Sequence, residues 1–155
     1  MQIMWSKLAR LLARDQTQGS IYHVGDRWLI PTLARTRAGF YLEGEPVEVL
    51  SAPPADDLAT ALLRVQERGN RTVPTPSRNR VPPPVVHGHA GIQTEREFER
   101  QARHWALEWS AETVALVPAA RAPGGGFLYE AEKAERFTGP DSLLRLAERL
   151  IQLIR

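Results

Sequence analysis

WLIPTLARTRAGFYLEGEPVEVL, residues Trp28–Leu50, contains the strongest indication of the fold in this chain. Its first part, Trp28–Arg35, and its second part, Gly39–Leu50, are rich in aromatic and branched side chains, which favour β-strands. Residues 36–39 have the composition of a turn. The stretch therefore predicts a β-hairpin and, with it, an antiparallel sheet.

The two prolines of this hairpin predict where each strand lies in the sheet. Val47 and Val49 alternate with Glu48, so the second strand has one apolar and one polar face. Pro31 and Pro46 cannot donate a ladder hydrogen bond. We therefore expect them at sheet edges, bulges or strand ends.

The rest of the chain predicts four helices and further strands. Apolar residues at helical spacing, with a capping-box pattern at Thr94 and Glu97, indicate the helices. They are Ile3–Ala13, Ala55–Arg68, Thr94–Ala102 and Ser142–Ile154. Further strands are expected at Ile21–His23, Trp105–Trp109, Thr113–Val117, Phe127–Glu130 and Glu132–Phe137, with a glycine hairpin tip at Gly124–Gly126.

These strands come in adjacent groups and do not alternate with helices. That order predicts an α+β fold: a mostly antiparallel sheet of about five or six strands with flanking helices. A length of 155 residues fits a single domain spanning the chain, 1–155. The large side chains expected in its core are Trp5, Trp28, Trp105, Trp109, Leu146 and Leu150.

The composition excludes several classes of function. Without cysteine the chain has no disulfide, thiolate nucleophile or cysteine-based zinc site. No apolar run is long enough for a membrane span, and Met1–Arg14 does not match a secretory signal. We therefore expect a cytoplasmic protein without a membrane partner.

The positive charge does not favour a nucleic-acid partner. The net charge is only +2, because 20 basic residues are nearly balanced by 18 acidic ones. Proteins that bind a duplex gather their basic residues on one face, whereas here the signs are mixed outside residues 70–93.

The 70–93 segment is the feature that most suggests binding. Between Gly69 and Thr94 there is no acidic residue, and the charges are Arg71, Arg78 and Arg80. Five of the twelve prolines also lie there: Pro74, Pro76, Pro82, Pro83 and Pro84. A connection this long is either disordered or functional. As a binding arm it would be stiffened by proline and would grip carboxylates or phosphates through arginine.

Two histidines in this segment form a weak metal-binding candidate. His87 and His89 could both ligate a metal, but their spacing differs from the i, i+4 pair of a helix and no third ligand is fixed nearby. We interpret them as a loop pair that could contact a partner. His23 and His104 are isolated, and His104 is expected at a sheet edge.

No catalytic, metal or cofactor site is predicted. No serine lies in a G-x-S-x-G motif, and Gly124–Gly126 lacks the lysine of a phosphate-binding loop. No nucleophile, base and orienting group can be assembled, so we expect neither an enzyme nor a small-molecule ligand.

An acidic stretch is the second candidate for partner binding. Glu130 and Glu132 are predicted to share one face of a strand, with Glu135 close by. The simpler interpretation is a solvated face near Lys133 and Arg136. The functional alternative is an acidic patch for a basic partner.

The chain resembles a known group of bacterial proteins. The stretches WLIPTLARTRAGFYLEGEPVEVL, DDLATALLRVQERGN and GIQTEREFERQARHWALEW are similar to small immunity proteins of contact-dependent growth inhibition and related polymorphic toxin systems. The resemblance covers most of residues 28–109 and consists of core and turn residues rather than catalytic ones. It implies a cytoplasmic protein that binds the C-terminal toxin domain of its own system and blocks it without catalysis.

We therefore expect an immunity protein that neutralises a cognate toxin domain by forming a stoichiometric complex. The alternative is a nucleic-acid-binding module that uses the 70–93 segment. Many immunity proteins against nucleases are acidic, whereas this chain is slightly basic. A strongly basic nuclease would fit only if the acidic stretch does the binding.

Overall fold

A computed structural model describes residues 16–83 and 85–155 of the chain. The predicted helix Ile3–Ala13, which includes Trp5, lies outside the described residues. The described elements are β1 (Thr17–Val24), β2 (Arg27–Thr36), β3 (Tyr41–Ser51), α1 (Ala55–Arg68), β4 (Thr72–Val73), a first 3₁₀ turn (Arg78–Arg80), α2 (Val86–His89), α3 (Glu95–Gln101), β5 (Arg103–Ser110), β6 (Thr113–Arg121), β7 (Phe127–Tyr129), a second 3₁₀ turn (Ala131–Lys133), β8 (Glu135–Thr138) and α4 (Ser142–Leu153).

The strands form one sheet in the order β3-β2-β1-β5-β6-β7. Every pair along this path is antiparallel, and β8 also pairs with β6 in that sense. Only β4 runs parallel to its neighbour, β2. The α+β class with a mostly antiparallel sheet is therefore confirmed. The described residues contain eight strands, more than the expected five or six.

The hairpin predicted at residues 28–50 is present in the structure. Strands β2 and β3 pair from Arg35 opposite Tyr41 to Arg27 opposite Ser51, and the register shifts at Pro31. The second proline, Pro46, lies in β3, the strand at the end of the sheet order. A bulge and an outer strand are positions where a missing N–H is tolerated.

Helices α1 and α4 cover one face of the sheet, which we call the helix face. The stripe Leu58, Leu62 and Val65 of α1 is buried there, together with Leu146 and Leu150 of α4. The expected core tryptophans Trp28, Trp105 and Trp109 lie in the same cluster. Amphipathic helices pack against a sheet in this way because burying their apolar stripes removes that surface from water.

The helix face requires a glycine at one point. A Cβ atom on Gly19 would lie 2.5 Å from Cζ3 of Trp109. Real Cβ contacts are longer than this, so the Trp109 ring occupies the space that a side chain on β1 would need.

Helices α2 and α3 pack on the opposite face. Val86 of α2 and Phe98 of α3 join Tyr22, Leu29 and Phe127 in a second buried cluster. The Thr94 hydroxyl accepts a hydrogen bond from the Glu97 amide at 3.2 Å. The predicted start of α3 is therefore confirmed.

The strand predicted at Glu132–Phe137 is present, but its predicted start was wrong. Residues Ala131–Lys133 form a 3₁₀ turn, and β8 begins only at Glu135. The turn lets the chain leave β7 and rejoin β6 further along it, since both strands pair with β6. Strand β1 is also longer than Ile21–His23, because its polar first half pairs with β5.

Candidate partner-binding surface

The 70–93 segment begins with an asparagine that is built into the sheet. The Asn70 side-chain oxygen accepts a hydrogen bond from the Gln18 amide at 2.7 Å. Its Nδ2 donates to the carbonyls of Gln18 and Leu33, at 2.9 and 3.0 Å. Asn70 thereby joins β1 to β2 and acts in place of a strand residue.

The next residues of the segment are fixed by backbone pairing. The parallel pair β2–β4 places Arg35 opposite Thr72 and Thr36 opposite Val73. At the β2–β3 turn, the Ala38 amide donates to the Thr75 hydroxyl at 2.8 Å. The segment thus extends the sheet locally, and the two-residue β4 had no signal in the sequence.

The last part of the segment is attached through α2. Val86 is fully buried, and His89 Nε2 lies 2.8 Å from Glu45 Oε1. The hydrogen bond from His89 lowers the pKa of the exposed Glu45 carboxyl. The segment is therefore held at both ends and is not an unattached loop.

The two histidines lie in a short helix rather than in a loop. His87 and His89 are both in α2, and His89 is engaged with Glu45. The described residues contain no group of three histidine, aspartate or glutamate side chains that could hold a metal ion. His87 Nδ1 is buried without a hydrogen-bond partner among the residues that the structure describes.

The arginines of the segment are directed to solvent. Arg71, Arg78 and Arg80 are exposed. In the part of the chain that the structure describes, none of the three forms an ion pair. Val81 beside them is 50% exposed, one of the more exposed large apolar side chains of these residues.

The acidic residues Glu130, Glu132 and Glu135 differ from these arginines, because two of the three form ion pairs within the chain. Glu130 pairs with Lys133 at 2.8 Å and Glu135 with Arg149 at 2.9 Å. Glu132 is exposed in the second 3₁₀ turn, so it does not share a strand face with Glu130 as predicted. The stretch has less free charge than the sequence suggested.

The sequence did not predict a buried polar cluster on the sheet face opposite the helix face. His104 was expected at an edge, but β5 lies between β1 and β6 and His104 is only 3% exposed. Its Nδ1–H donates to the Ile21 carbonyl at 3.1 Å, and the Tyr129 hydroxyl donates to Nε2 at 2.8 Å. The Tyr22 ring stacks on it at 4.1 Å between centroids.

Burial sets the protonation of this cluster. It lowers the pKa of His104 to about 4, so the ring is neutral near pH 7. Burial also raises the pKa of Glu43 to about 7, against the opposing effect of a hydrogen bond from the Tyr22 hydroxyl. Both nitrogens of His104 are occupied, so it has no free nitrogen to act as a base.

One sequence signal could have placed His104 correctly. Trp105, Leu107 and Trp109 alternate along β5 and line the helix face. Their period of two puts His104 on the opposite face of a strand that is buried on both sides. Tyr129, which bonds His104, and Glu43, which bonds Tyr22, had no such signal, because they lie far from these partners in the sequence.

The chain is similar to known proteins in its fold alone. No protein-family model and no curated protein sequence matches the chain. A protein of unknown function from Neisseria meningitidis is similar in structure, with a TM-score of 0.68 and 12% identity over 88% of this chain and 92% of that one. A chain of the CdiA-CT/CdiI toxin and immunity complex from Yersinia pseudotuberculosis has a TM-score of 0.66 and 10% identity over 88% of this chain and 94% of that one.

Proposed function

We propose that this chain is an immunity protein that binds the C-terminal toxin domain of its own system and neutralises it by stoichiometric complex formation. The observation that carries the proposal is the 70–93 segment. It is fixed to the sheet at Asn70, Thr75 and Val86, yet its arginines have no ion-pair partner among the described residues. A preformed surface with unpaired charges binds a partner at a lower entropic cost than a flexible loop would.

The fold neighbour supports the same proposal. A chain of similar fold belongs to a toxin and immunity complex. Fold alone does not determine function, so this likeness adds to the argument from the segment and does not replace it.

We propose that neutralisation needs no catalysis by this chain. Within residues 16–83 and 85–155, His104 has both ring nitrogens hydrogen-bonded and Glu43 is bonded by Tyr22. Inhibition by occupying the toxin surface requires only affinity. The proposal places the complex in the cytoplasm, as in the immunity proteins that the sequence resembles. In the described part of the chain, no helix has the length and apolar character to cross a bilayer.

Growth of cells that express the toxin domain tests this function. The probe is the C-terminal domain of the protein encoded by the adjacent upstream gene, which we expect to be the toxin domain, expressed from an inducible promoter. We expect growth arrest without this chain and normal growth with it. The matched control is Leu150→Ala, which removes a buried side chain of α4 and should protect less. Continued arrest in the presence of folded wild-type chain would contradict the proposal.

The unpaired arginines also leave nucleic acid as a second candidate partner. That alternative predicts binding to arbitrary DNA or RNA, with an affinity that falls steeply as salt is raised. Titration of the purified chain into a labelled RNA duplex at two salt concentrations separates the two functions. We expect no binding of the duplex at either salt concentration.

A further inference from the structure

Five arginines from two separate stretches of the chain lie at one corner of the sheet. The first stretch is the end of β2 with its following turn, and the second is the 70–93 segment. We call the group the arginine corner: Arg35, Arg37, Arg71, Arg78 and Arg80. Local sequence patterns identified only the last three, because the two stretches are more than 30 residues apart.

Backbone hydrogen bonds bring the two stretches together. The Arg35 amide donates to the Arg71 carbonyl at 2.9 Å, and the Arg37 amide donates to the Val73 carbonyl at 3.1 Å. The Ala38 amide donates to the Thr75 hydroxyl at 2.8 Å. Arg78 follows Thr75 by three residues, which span at most about 10 Å even when extended. Arg80 lies in the same 3₁₀ turn as Arg78, so it remains near the anchored residues.

The corner has a local excess of positive charge. Residues 32–42 and 69–94 contain no aspartate or glutamate. Arg37, Arg71, Arg78 and Arg80 are exposed and Arg35 is half-buried. None of the five forms an ion pair with another described residue. Clustered like charges raise the local potential, which attracts a negatively charged partner.

The remaining exposed groups favour a protein over a nucleic acid. Val81, 50% exposed, adds an apolar contact next to Arg80. The rest of the chain is nearly balanced in charge, with a net charge of +2 overall, so its long-range attraction for a polyanion is small. The guanidinium fork pairs with a carboxylate through two parallel hydrogen bonds.

We propose that the arginine corner binds an acidic segment of the toxin domain, with an apolar side chain of that segment placed against Val81. This inference rests on the proposed function and names the surface through which it acts. Charge pairing at such a surface chiefly raises the association rate and selects the partner.

A pair of fourfold variants tests the proposal. The corner variant carries Arg37→Ala, Arg71→Ala, Arg78→Ala and Arg80→Ala. The control carries Arg96→Ala, Arg121→Ala, Arg136→Ala and Arg155→Ala, four other exposed arginines without an ion pair in the described residues. Both remove the same charge, so a difference between them reports on position rather than on net charge. Thermal unfolding of each variant checks that it is folded.

Affinity is measured for the purified toxin domain encoded beside the gene of this chain. At low salt we expect the corner variant to bind at least about tenfold more weakly than wild type. The control should stay within about threefold. At high salt the difference should shrink, since exposed charges beyond a Debye length of about 10 Å at 0.1 M are screened.

Each other outcome overturns the proposal in a distinguishable way. An equal loss of affinity in both variants would assign the effect to net charge. No loss of affinity in either variant would show that the corner is not part of the interface. Failure of the wild-type chain to bind the toxin domain would refute the proposed function as well. Tight binding of a short RNA duplex that the corner variant loses would assign the corner to nucleic acid.

Discussion

Gly19 shows how a single residue sets the packing of the helix face. Its missing side chain leaves the space that the Trp109 ring fills, with Cζ3 only 2.5 Å from where a Cβ would lie. The reason for the glycine is the neighbouring strand β5, which pairs Gly19 with Leu107.

Gly19→Ala should destabilise the fold by about 1–3 kcal/mol, because the added methyl group overpacks against a buried indole. Chemical denaturation measures the change. Gly44→Ala is the matched control, since a Cβ there would meet only the Thr32 carbonyl oxygen at 3.8 Å. A loss for Gly19→Ala no larger than that for Gly44→Ala would mean that the Trp109 ring moves aside without cost.

The stability of the fold depends on pH through Glu43 and His104, and the two groups act in opposite directions. Burial raises the pKa of Glu43 from 4.5 to about 7, so the folded state binds its proton more tightly than the unfolded state. Stability from Glu43 is therefore greatest below its unfolded pKa and falls as pH rises to about 7. The pKa of His104 falls from 6.5 to about 4, so its effect has the opposite sign: stability rises with pH over that range.

Glu43→Gln should separate these two effects. With the carboxyl removed, His104 remains, and stability should rise more steeply between about pH 4.5 and pH 6.5 than in wild type. Above pH 6.5 the wild type should lose stability until about pH 7, and the variant should not. Denaturation curves over this pH range measure both slopes. Parallel curves for the two proteins would show that Glu43 is not a buried carboxyl.

Among the elements of the fold, the 70–93 segment is the one whose structure the sequence predicts least well. Its lack of acidic residues and its prolines identified it, but its attachment depends on contacts that are distant in sequence. Asn70 bonds to Gln18, 52 residues away, and to Leu33, 37 residues away. An asparagine after a helix-ending glycine has the composition of any turn, so local pattern could not distinguish a fixed segment from a disordered one.

Asn70→Ala should loosen the segment while leaving the helix face intact. Three hydrogen bonds are lost, which should cost about 1–3 kcal/mol and speed amide exchange at Thr72 and Val73. Hydrogen exchange read by mass spectrometry measures this locally. Asn79→Ala, in the exposed first 3₁₀ turn, should change neither quantity. Unchanged exchange in Asn70→Ala would show that β4 alone holds the segment.

Helix α4 illustrates the opposite case, an element that sequence alone predicted well. Leucines at helical spacing identified its apolar stripe, and Leu146 and Leu150 are fully buried as expected. Periodicity is a reliable guide here because the helix packs along one continuous face.

Leu150→Ala should cost about 2–5 kcal/mol, since it removes a fully buried side chain and leaves a cavity. Leu63→Ala is the control in α1, because Leu63 is 44% exposed, and it should cost less than about 1 kcal/mol. Urea titration gives both values. A cost for Leu150→Ala as small as that of the control would place α4 away from the sheet.

For the molecule as a whole, the hairpins and helix stripes in the sequence predicted the fold class, but they did not predict the proposed binding surface. The arginine corner exists only because β4 pairs with β2, which brings Arg35 and Arg37 beside Arg71. The buried cluster around His104 likewise joins residues from β1, β3, β5 and β7. Both depend on sheet order, which residue patterns constrain weakly.

We propose that this chain acts by binding a toxin domain. Isothermal titration of the purified chain with the C-terminal domain encoded by the adjacent upstream gene, followed by light scattering of the mixture, tests this binding. We predict saturation at one toxin domain per chain and a particle with the summed mass of the two. Absence of heat with unchanged particle masses, or consumption of the toxin domain by a catalytic amount of the chain, would contradict it.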